Sequence, residues 1–444
     1  MSTVKVNTID KRTGSTLTLG GSGTAVTLAC GATQTGFGRT GTVDWQTTSI
    51  KTGTFTAVSG EGYFVNTSGG VSTANLPAGS AGAIVSFSDY TRTFATNNLT
   101  VSPNGSEKIG GIAQDLILDV NGQALTLVYV DATEGWINVQ NAEDTETGLI
   151  PYLTATGGTI TTSGDFKIHT FTSSGTFAVS ELSGTPSRNV VDYLNVAGGG
   201  GGGQNGGGGG AAGGARMSAG TSTGCYTSSP LGSGVSGITV TTTSFPITVG
   251  AAGAGSSSGP AKGANGTNSV FSTITSAGGG GGGSTGSEPG SPGGSGGGVR
   301  SNGSGTIGAG NTPPVSPPQG NSGGAPSSGD YRGTGGGGAS TVGGSGADGS
   351  FPGGGGGGTG ITNAITGSSL AYAGGGSGGA NGCSTPSGST CGTGGGGGQN
   401  SPGPTTAGAG TTNRGGGGGG GSGNPPFAGG NGGSGVVVIR YKFQ

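Results

Sequence analysis

The chain has 444 residues, of which 117 are glycine, only 28% are hydrophobic and only 8% are charged, with a formal net charge of −2. This composition excludes one large apolar core spanning the chain, and the lack of a basic stripe excludes a typical nucleic-acid-binding protein. Low net charge combined with many valine, isoleucine and threonine residues favours folded structure over intrinsic disorder.

Short apolar runs with alternate spacing recur along the chain, and helical periodicity is absent. We therefore predict an all-β protein. Residues 1–50 are expected to form short N-terminal β repeats, because STLTLGGSG and TAVTLACGA look like two copies of one strand-and-turn unit. Units this short bury little apolar surface alone, so we expect them to pack against other copies of the chain.

The N-terminal stretch MSTVKVNTIDKRTG lacks the apolar segment of a signal peptide. No window of the sequence approaches the roughly 18 apolar residues that a membrane helix needs. We therefore expect the protein to be made and assembled in a cytoplasm, without insertion into a membrane.

Residues 51–150 contain longer strands, such as GAIVSFSDY and ALTLVYVD, and predict a small central β domain. Asn121 and Gly122 separate LILDV from QALTLVYVD. Because both residues tolerate a positive φ, this pair predicts a hairpin with a type I′ turn. Trp136 is expected to help close the core of this domain.

Residues 151–444 contain every long glycine run, yet apolar threads such as FPITVGAAG and SSLAYAGGG return between the runs. The region ends on GVVVIRYKFQ, which predicts a buried strand. Flexible linkers are rarely interrupted in this way. We therefore expect these residues to form a folded domain framed by β-strands.

A glycine run must offset about 1–2 kcal/mol of backbone entropy per ordered residue without burying a side chain. A polyproline-II-like helix has three residues per turn and leaves its N–H and C=O groups without internal partners. Neighbouring helices of this kind can satisfy those groups, and glycine is required where their backbones crowd together. The sequence therefore predicts packed polyglycine-II helices joined by turns or exposed loops.

The segments between the runs are rich in proline and contain single aromatic residues. Exposed aromatic side chains on rigid loops make good contacts to sugars and proteins, although each can equally pack on its own domain. From these segments we predict five candidate contact residues: Tyr226, Tyr331, Arg332, Phe351 and Phe427.

Metal and cofactor chemistry finds no support in the sequence. The four cysteines, Cys30, Cys225, Cys383 and Cys391, do not form paired CxxC motifs, and His169 is the one histidine. We therefore expect no metal site and no cofactor. Cys383 and Cys391 bracket STPSGST, which leaves a disulfide open beside the default of reduced cytosolic thiols.

Catalytic chemistry is equally unsupported, so we expect no enzymatic activity. A glycoside hydrolase needs two carboxyl groups about 5–9.5 Å apart in a cleft, whereas the acidic residues cluster in the turn-like stretches DATEGW and NAEDTETG. His169 has no nucleophile motif nearby and is interpreted as a strand residue. Depolymerisation of a polysaccharide is the enzymatic alternative, and cleavage by the purified protein would reveal it.

Several spaced motifs resemble the glycine-rich C-terminal domain of bacteriophage tail fibres and tail-tip adhesins. They are GTITTSGDFKIHTFTSSGTFAV, VDYLNVAGGGGGG, FPITVGAAGAG, NSVFSTITSAGGGGGG and GGNGGSGVVVIRY. Upstream, LTVSPNGSEKIGG and ALTLVYVDATEGWINV resemble the β modules that precede this domain in fibres of marine podoviruses and myoviruses. The chain departs from the family pattern in having a short N-terminal part without a long coiled coil or β-helix shaft.

The resemblance implies a homotrimeric virion fibre and a polyglycine-II sandwich in the glycine-rich receptor-binding domain, residues 151–444. Residues 1–50 would attach the fibre to other tail, baseplate or adaptor proteins. The distal loops would bind a host cell-surface polysaccharide or outer-membrane protein. Two alternatives are a passive structural fibre and an ice-binding protein, but the latter would need strict Gly-x-x spacing, whereas the runs here are continuous.

Overall fold

The computed structural model describes residues 43–140, 151–224, 226–257, 261–286, 288–300, 305–327, 332–346, 353–380, 391–394, 396–397, 407–423 and 425–444. The chain divides into two compact units, Met1–Leu149 and Ile150–Gln444. The predicted all-β class is confirmed, since the described residues contain only two one-turn 3-10 helices, Pro186–Arg188 and Pro230–Gly232. The predicted repeats of residues 1–50 lie outside the described residues as far as residue 42.

The first unit contains two sheets whose strands alternate along the chain. Between residues 43 and 140 the nine strands are β1 Asp44–Lys51, β2 Thr54–Thr56, β3 Glu61–Val65, β4 Ser72–Asn75, β5 Ile84–Asp89, β6 Leu99–Ser102, β7 Leu116–Leu118, β8 Ala124–Asp131 and β9 Gly135–Asn138. One sheet has the order β1-β3-β5-β8-β9 and the other has the order β2-β4-β6-β7. Strands β1, β3 and β5 are parallel in one sheet, and β2, β4 and β6 are parallel in the other. The chain therefore alternates between the sheets in successive coils from β1 to β6. Strand β7 then adds to the second sheet antiparallel to β6, and β8 adds to the first sheet antiparallel to β5.

The core of this unit lies between the two sheets. Alternate residues of β3 and β5 point inward, among them Tyr63, Val65 and Phe87, and meet Leu99 and other apolar residues of the second sheet. Trp136 is fully buried in this core, as predicted, and its indole N–H donates to Glu107 Oε2 at 3.2 Å.

The predicted hairpin at Asn121 and Gly122 is wrong. Strand β7 pairs with β6 in one sheet and β8 pairs with β5 in the other, so the turn is a corner between sheets. Gly122 has the positive φ of +79°, but Asn121 does not have a positive φ, which rules out a type I′ turn. The Asp89 carboxylate holds this corner by accepting the Gly122 N–H at 3.0 Å and the Phe94 N–H at 3.1 Å.

The described residues of the second unit form thirteen strands. They are β10 Thr154–Thr156, β11 Thr159–Ser163, β12 Phe166–Phe171, β13 Gly175–Glu181, β14 Val190–Val196, β15 Ala215–Met217, β16 Ile238–Thr239, β17 Ser244–Thr248, β18 Ser269–Phe271, β19 Ile274–Ser276, β20 Ile361–Asn363, β21 Leu370–Tyr372 and β22 Val436–Lys442. Two main sheets have the orders β10-β13-β17-β18-β19 and β11-β12-β22-β14-β15, with β16 paired to β14 and β20 paired to β21.

Strand β22 is central in its sheet and is buried on both faces. Val437, Ile439 and Tyr441 pack toward the sheet that contains β13 and β17, in a core shared with Phe177. The intervening Val436 and Val438 pack on the opposite side, against a cluster that includes β20 and β21. Burial on both faces explains the uninterrupted apolar run, and the prediction of a buried strand here is confirmed.

The glycine runs are extended segments whose backbone groups bond sideways to other segments. Along residues 198–203 the N–H donors point in three directions in turn, with a repeat of three residues. Gly198 and Gly201 donate to residues 264–267, Gly199 and Gly202 to residues 430–433, and Gly200 and Gly203 to residues 208–211. The donor to acceptor distances are 2.9–3.1 Å.

The carbonyl groups of the same run are also satisfied. They accept N–H bonds from three further segments, residues 253–256, 279–282 and 418–421, so the run has six neighbours. A Cβ built on any glycine from 198 to 203 would press against a backbone carbonyl of one of these neighbours. Close approach therefore requires glycine at every position of this central segment, which explains the continuous run. We call this bundle of segments the glycine lattice.

Candidate functional site

The glycine lattice has two ends of different character. At the sheet end, three segments continue directly into strands: residues 197–203 follow β14, residues 208–214 precede β15 and residues 428–435 precede β22. Other segments turn back at this end, as at residues 412–415. At the opposite end, which we call the loop end, the segments reverse direction through turns and loops. The hydrogen bonds from Gly208 N to Gly283 O, Gly209 N to Thr334 O and Gly206 N to Gly421 O place these reversals together.

The tightest reversal at the loop end is the turn at residues 204–207. Asn205 and Gly206 both have positive φ, +55° and +69°, which asparagine and glycine tolerate best. The Asn205 N–H donates to the Phe427 carbonyl at 3.2 Å, and the Ser284 hydroxyl donates to the Gln204 carbonyl at 3.2 Å. Three separate loops are therefore fastened to one another at this turn.

The loop end carries two of the predicted contact residues. Phe427 is half-buried beside the 204–207 turn, and its N–H donates to the Ser422 carbonyl at 3.0 Å. Arg332 is half-buried and precedes Gly333, whose N–H donates to Gly379 O at 2.7 Å at the same end of the lattice. Tyr331 and Phe351 lie outside the described residues.

Tyr226 does not lie at the loop end. It packs beside the sheet end, against the apolar cluster on the β20 and β21 side of the central sheet. Its ring faces the Arg440 guanidinium at 5.2 Å, and the other neighbour of that guanidinium is Phe166 at 4.3 Å. Burial raises the pKa of Tyr226 above its usual range, with a further contribution from nearby Asp192. This tyrosine is built into the fold, and its hydroxyl is buried.

Arg440 and Asp192 are two buried charged residues on neighbouring strands that sequence reasoning missed. The two residues face each other across β14 and β22, and both are buried, with 6% of Arg440 and 0% of Asp192 exposed. Asp192 accepts bonds from the hydroxyls of Ser218 and Thr223, each at 2.7 Å, and from the Thr223 N–H at 2.8 Å. Burial lowers the pKa of Arg440, while Asp192 acts in the opposite direction.

One signal in the sequence pointed to this pair. Asp192 and Arg440 are the buried charged residues of the apolar strands VVDYLNV and VVVIRYK, whereas Lys442 ends the second strand half-buried. An unpaired charge buried in such a strand would cost several kcal/mol. A charge in such a strand therefore predicts an opposite charge in a neighbouring strand. The pairing partner could not be chosen without knowing the strand order.

The described residues show few features of a catalytic or metal centre. Within that part of the chain, no group of three His, Cys, Asp or Glu side chains is placed to hold a metal ion. No helix there is long and apolar enough to cross a bilayer. Cys391 is exposed and free, and Cys383 lies outside the described residues.

Residues 172–442 match the family model described as a glycine-rich domain. The chain belongs to the glycine-rich domain family. The matched residues start directly after β12 and end with β22, so the glycine-rich domain comprises the lattice, its loops and the central strand of the supporting sheet. No curated protein matches the chain.

Proposed function

We propose that this protein is a bacteriophage tail fibre that attaches the virion to a host cell-surface receptor through the loop end of its glycine-rich domain. The observation that carries the proposal is that the turn at residues 204–207 is bonded to residues 284 and 427, so that several loops lie together at the end opposite the strands of the sheet. Such a display of loops on a bonded support suits recognition, because loops vary freely when a rigid scaffold positions them. The resemblance of the glycine-rich motifs to tail-fibre domains supplies the biological setting.

We further propose that the lattice segments are polyglycine-II helices. A helix with three residues per turn directs successive N–H groups about 120° apart, which accounts for the three-residue repeat of the hydrogen bonds along residues 198–203. Six neighbours around one segment are the packing that such helices favour. Backbone φ near −75° and ψ near +145°, measured in a high-resolution crystal structure, would support this assignment. Sheet-like φ near −120° or below throughout the runs would overturn it.

The proposed fibre is a homotrimer, held to tail, baseplate or adaptor proteins through residues 1–50. Three copies give one fibre three loop ends. Once one loop end binds, the other two are held near the cell surface at high effective concentration, so three weak contacts together bind strongly. Light scattering of the purified chain should then give three times its 41.2 kDa mass. A monomer at micromolar concentration would contradict the trimer. The receptor class is a polysaccharide or an outer-membrane protein, and the role is adhesion without catalysis, metal or cofactor.

Loop exchange tests the receptor proposal. Replacing residues 325–332 and 422–427 with loops of equal length from a relative should change which cells the purified protein adsorbs to. The matched control replaces residues 312–318, a proline-rich loop that lies beside β15 at the sheet end. If neither exchange changes which cells the protein adsorbs to, a passive structural fibre would be favoured.

A change of adsorption with the 312–318 exchange alone would place the receptor site at the sheet end. Each exchanged protein must first show the thermal unfolding midpoint of the parent protein, because a misfolded lattice would also lose adsorption. Competition between the purified protein and virus for susceptible cells then connects adsorption to infection.

A further inference from the structure

A cavity lies at the sheet end of the glycine-rich domain. It has a volume of about 350 Å³ and is lined by two cationic side chains, three hydroxyl side chains and an aromatic ring. The lining residues that carry the argument are Arg188, Lys442, Ser187, Ser222, Thr223 and Phe166. They come from β12, the segment before β14, the 221–224 loop and the end of β22.

The charges around this cavity favour an anion. Lys442 pairs with Asp165 at 3.4 Å, but both side chains are well exposed, so the pair holds the ammonium only weakly. The Arg188 guanidinium lies 5.5 Å from the centre of the Tyr152 ring, and no described carboxylate lies within ion-pair distance of it. The buried Asp192 carboxylate behind the cavity wall accepts the Thr223 N–H and hydroxyl and lies opposite Arg440 in the strand register.

The hydroxyl groups of the cavity favour a ligand with several hydroxyls. Ser222 Oγ accepts the Gly237 N–H at 3.2 Å, which leaves its own proton to donate. The Thr223 hydroxyl donates to Asp192, which leaves its oxygen able to accept a hydrogen bond from a ligand. Ser187 is exposed at the rim.

The size and the apolar wall exclude a bare inorganic ion as the best fit. A volume of about 350 Å³ is far larger than the roughly 30 Å³ that one water molecule occupies, and it falls within the usual range of organic-ligand pockets. Phe166 and Val190 provide an apolar wall beside the polar groups. We propose that this cavity binds an acidic sugar, with its carboxylate held by Arg188 and Lys442 and its hydroxyls by Ser222 and Thr223.

This inference concerns a site separate from the loop end, so the two proposals can fail independently. The probe is a glucuronate trisaccharide, with the glucose trisaccharide as its uncharged match, titrated by calorimetry into the full chain. The charged sugar should bind at least tenfold more tightly than the neutral sugar, and binding should weaken as salt rises. The double variant R188Q/K442Q should lose at least tenfold in affinity.

The matched control is Lys262→Gln, which removes an exposed lysine outside the cavity and should leave affinity unchanged. Thermal unfolding of R188Q/K442Q should match the parent protein, since neither side chain belongs to the core. Equal affinity for the two sugars, no binding of the charged sugar at millimolar concentration, or full affinity in R188Q/K442Q would each overturn the proposal.

Discussion

At the scale of single residues, glycine acts here as the contact surface of the protein core. Gly200 has no side chain, yet its N–H donates to Ala211 O at 2.9 Å and its carbonyl accepts from Gly418 N at 2.9 Å. Each such bond contributes about 1 kcal/mol net, which is comparable to the backbone entropy lost. Stability of the lattice therefore depends on nearly every residue being bonded.

A single methyl group in the lattice tests this dependence. A Cβ on residue 200 would collide with the Gly280 carbonyl, so Gly200→Ala should lower the free energy of unfolding by about 1–3 kcal/mol. Gly175→Ala is the control, because its Cβ would make only ordinary contacts with Phe171, at 3.6 Å and beyond. Thermal unfolding of both variants measures the difference. Equal midpoints for the two would show that the lattice can expand without cost.

His169 gives the glycine-rich domain a defined pH dependence. It is fully buried, with Nδ1 2.7 Å from the Gly157 carbonyl and its ring stacked on Tyr441 at 5.5 Å. Burial lowers the pKa of His169, so the imidazole stays neutral in the folded protein where the unfolded chain would bind a proton. Its contribution to stability is complete above the unfolded pKa, about 6.5, and is lost as pH falls below it.

Because His169 is the one histidine of the chain, its effect can be isolated. The thermal unfolding midpoint of the parent protein should decrease as the pH is lowered from 7 to 5. In His169→Gln the midpoint should be lower at pH 7 but should change less over the same interval. Parallel pH profiles for the two proteins would mean that other groups carry the dependence.

Tyr226 shows what residue-level reasoning from sequence could not reach. Its loop, TSTGCYTSSPLGSG, has little apolar company in the sequence. The partner that packs on it is Arg440, which is distant in the chain and is brought near by β22. The local composition therefore predicted an exposed aromatic side chain, whereas in the folded protein Tyr226 makes a cation–π contact.

At the scale of elements, the spacing of glycine reports how many neighbours a segment has. The central residues 198–203 have six neighbours and are all glycine. Residues 250–256, GAAGAGS, lie at the edge of the lattice: Gly250 and Gly253 are buried, whereas Ala251 and Ala252 are exposed. Continuous runs and Gly-x-x runs are thus the same structure in the interior and at the surface. This relation was readable from the sequence only after the packing was known.

Strand β22 is the element on which both main cores of the glycine-rich domain depend. Its burial was predictable from VVVIRY alone, but its place between β12 and β14 was not, because an apolar run does not specify its partners. The hairpin misassigned at Asn121 and Gly122 failed for the same reason. The local turn signal was sound, but pairing with β5 and β6 determined the strand positions.

Truncation of a buried side chain in β22 should be costly. Ile439 is 0% exposed, so Ile439→Ala should lower the free energy of unfolding by about 2–5 kcal/mol through lost contacts and a cavity. Ile160→Ala is a matched control, because Ile160 lies on β11 in the same sheet but is 45% exposed. It should change stability by less than about 1 kcal/mol. Chemical denaturation measures both, and similar losses would indicate that β22 is not a core strand.

At the scale of the whole molecule, each of the two units solves the shortage of apolar residues in its own way. The first unit coils a short chain between two sheets around a core of ordinary apolar side chains. The second places a layered β core at one end and uses backbone hydrogen bonds for the rest. The composition predicted that no single apolar core could span the whole chain. The composition could not predict that strands of one sheet would continue directly into the segments of the glycine lattice.

The pairing of β12 with β22 has a consequence for biogenesis. Its side chains His169 and Tyr441 are 272 positions apart, and every lattice segment lies between them in the chain. A ribosome must therefore synthesise all of the glycine-rich sequence before this pairing can close, and contacts of such long range slow folding. Nascent chains that stop early lack the strand that completes both cores. Only molecules translated through residue 442 therefore contain all of β22, the strand shared by both cores.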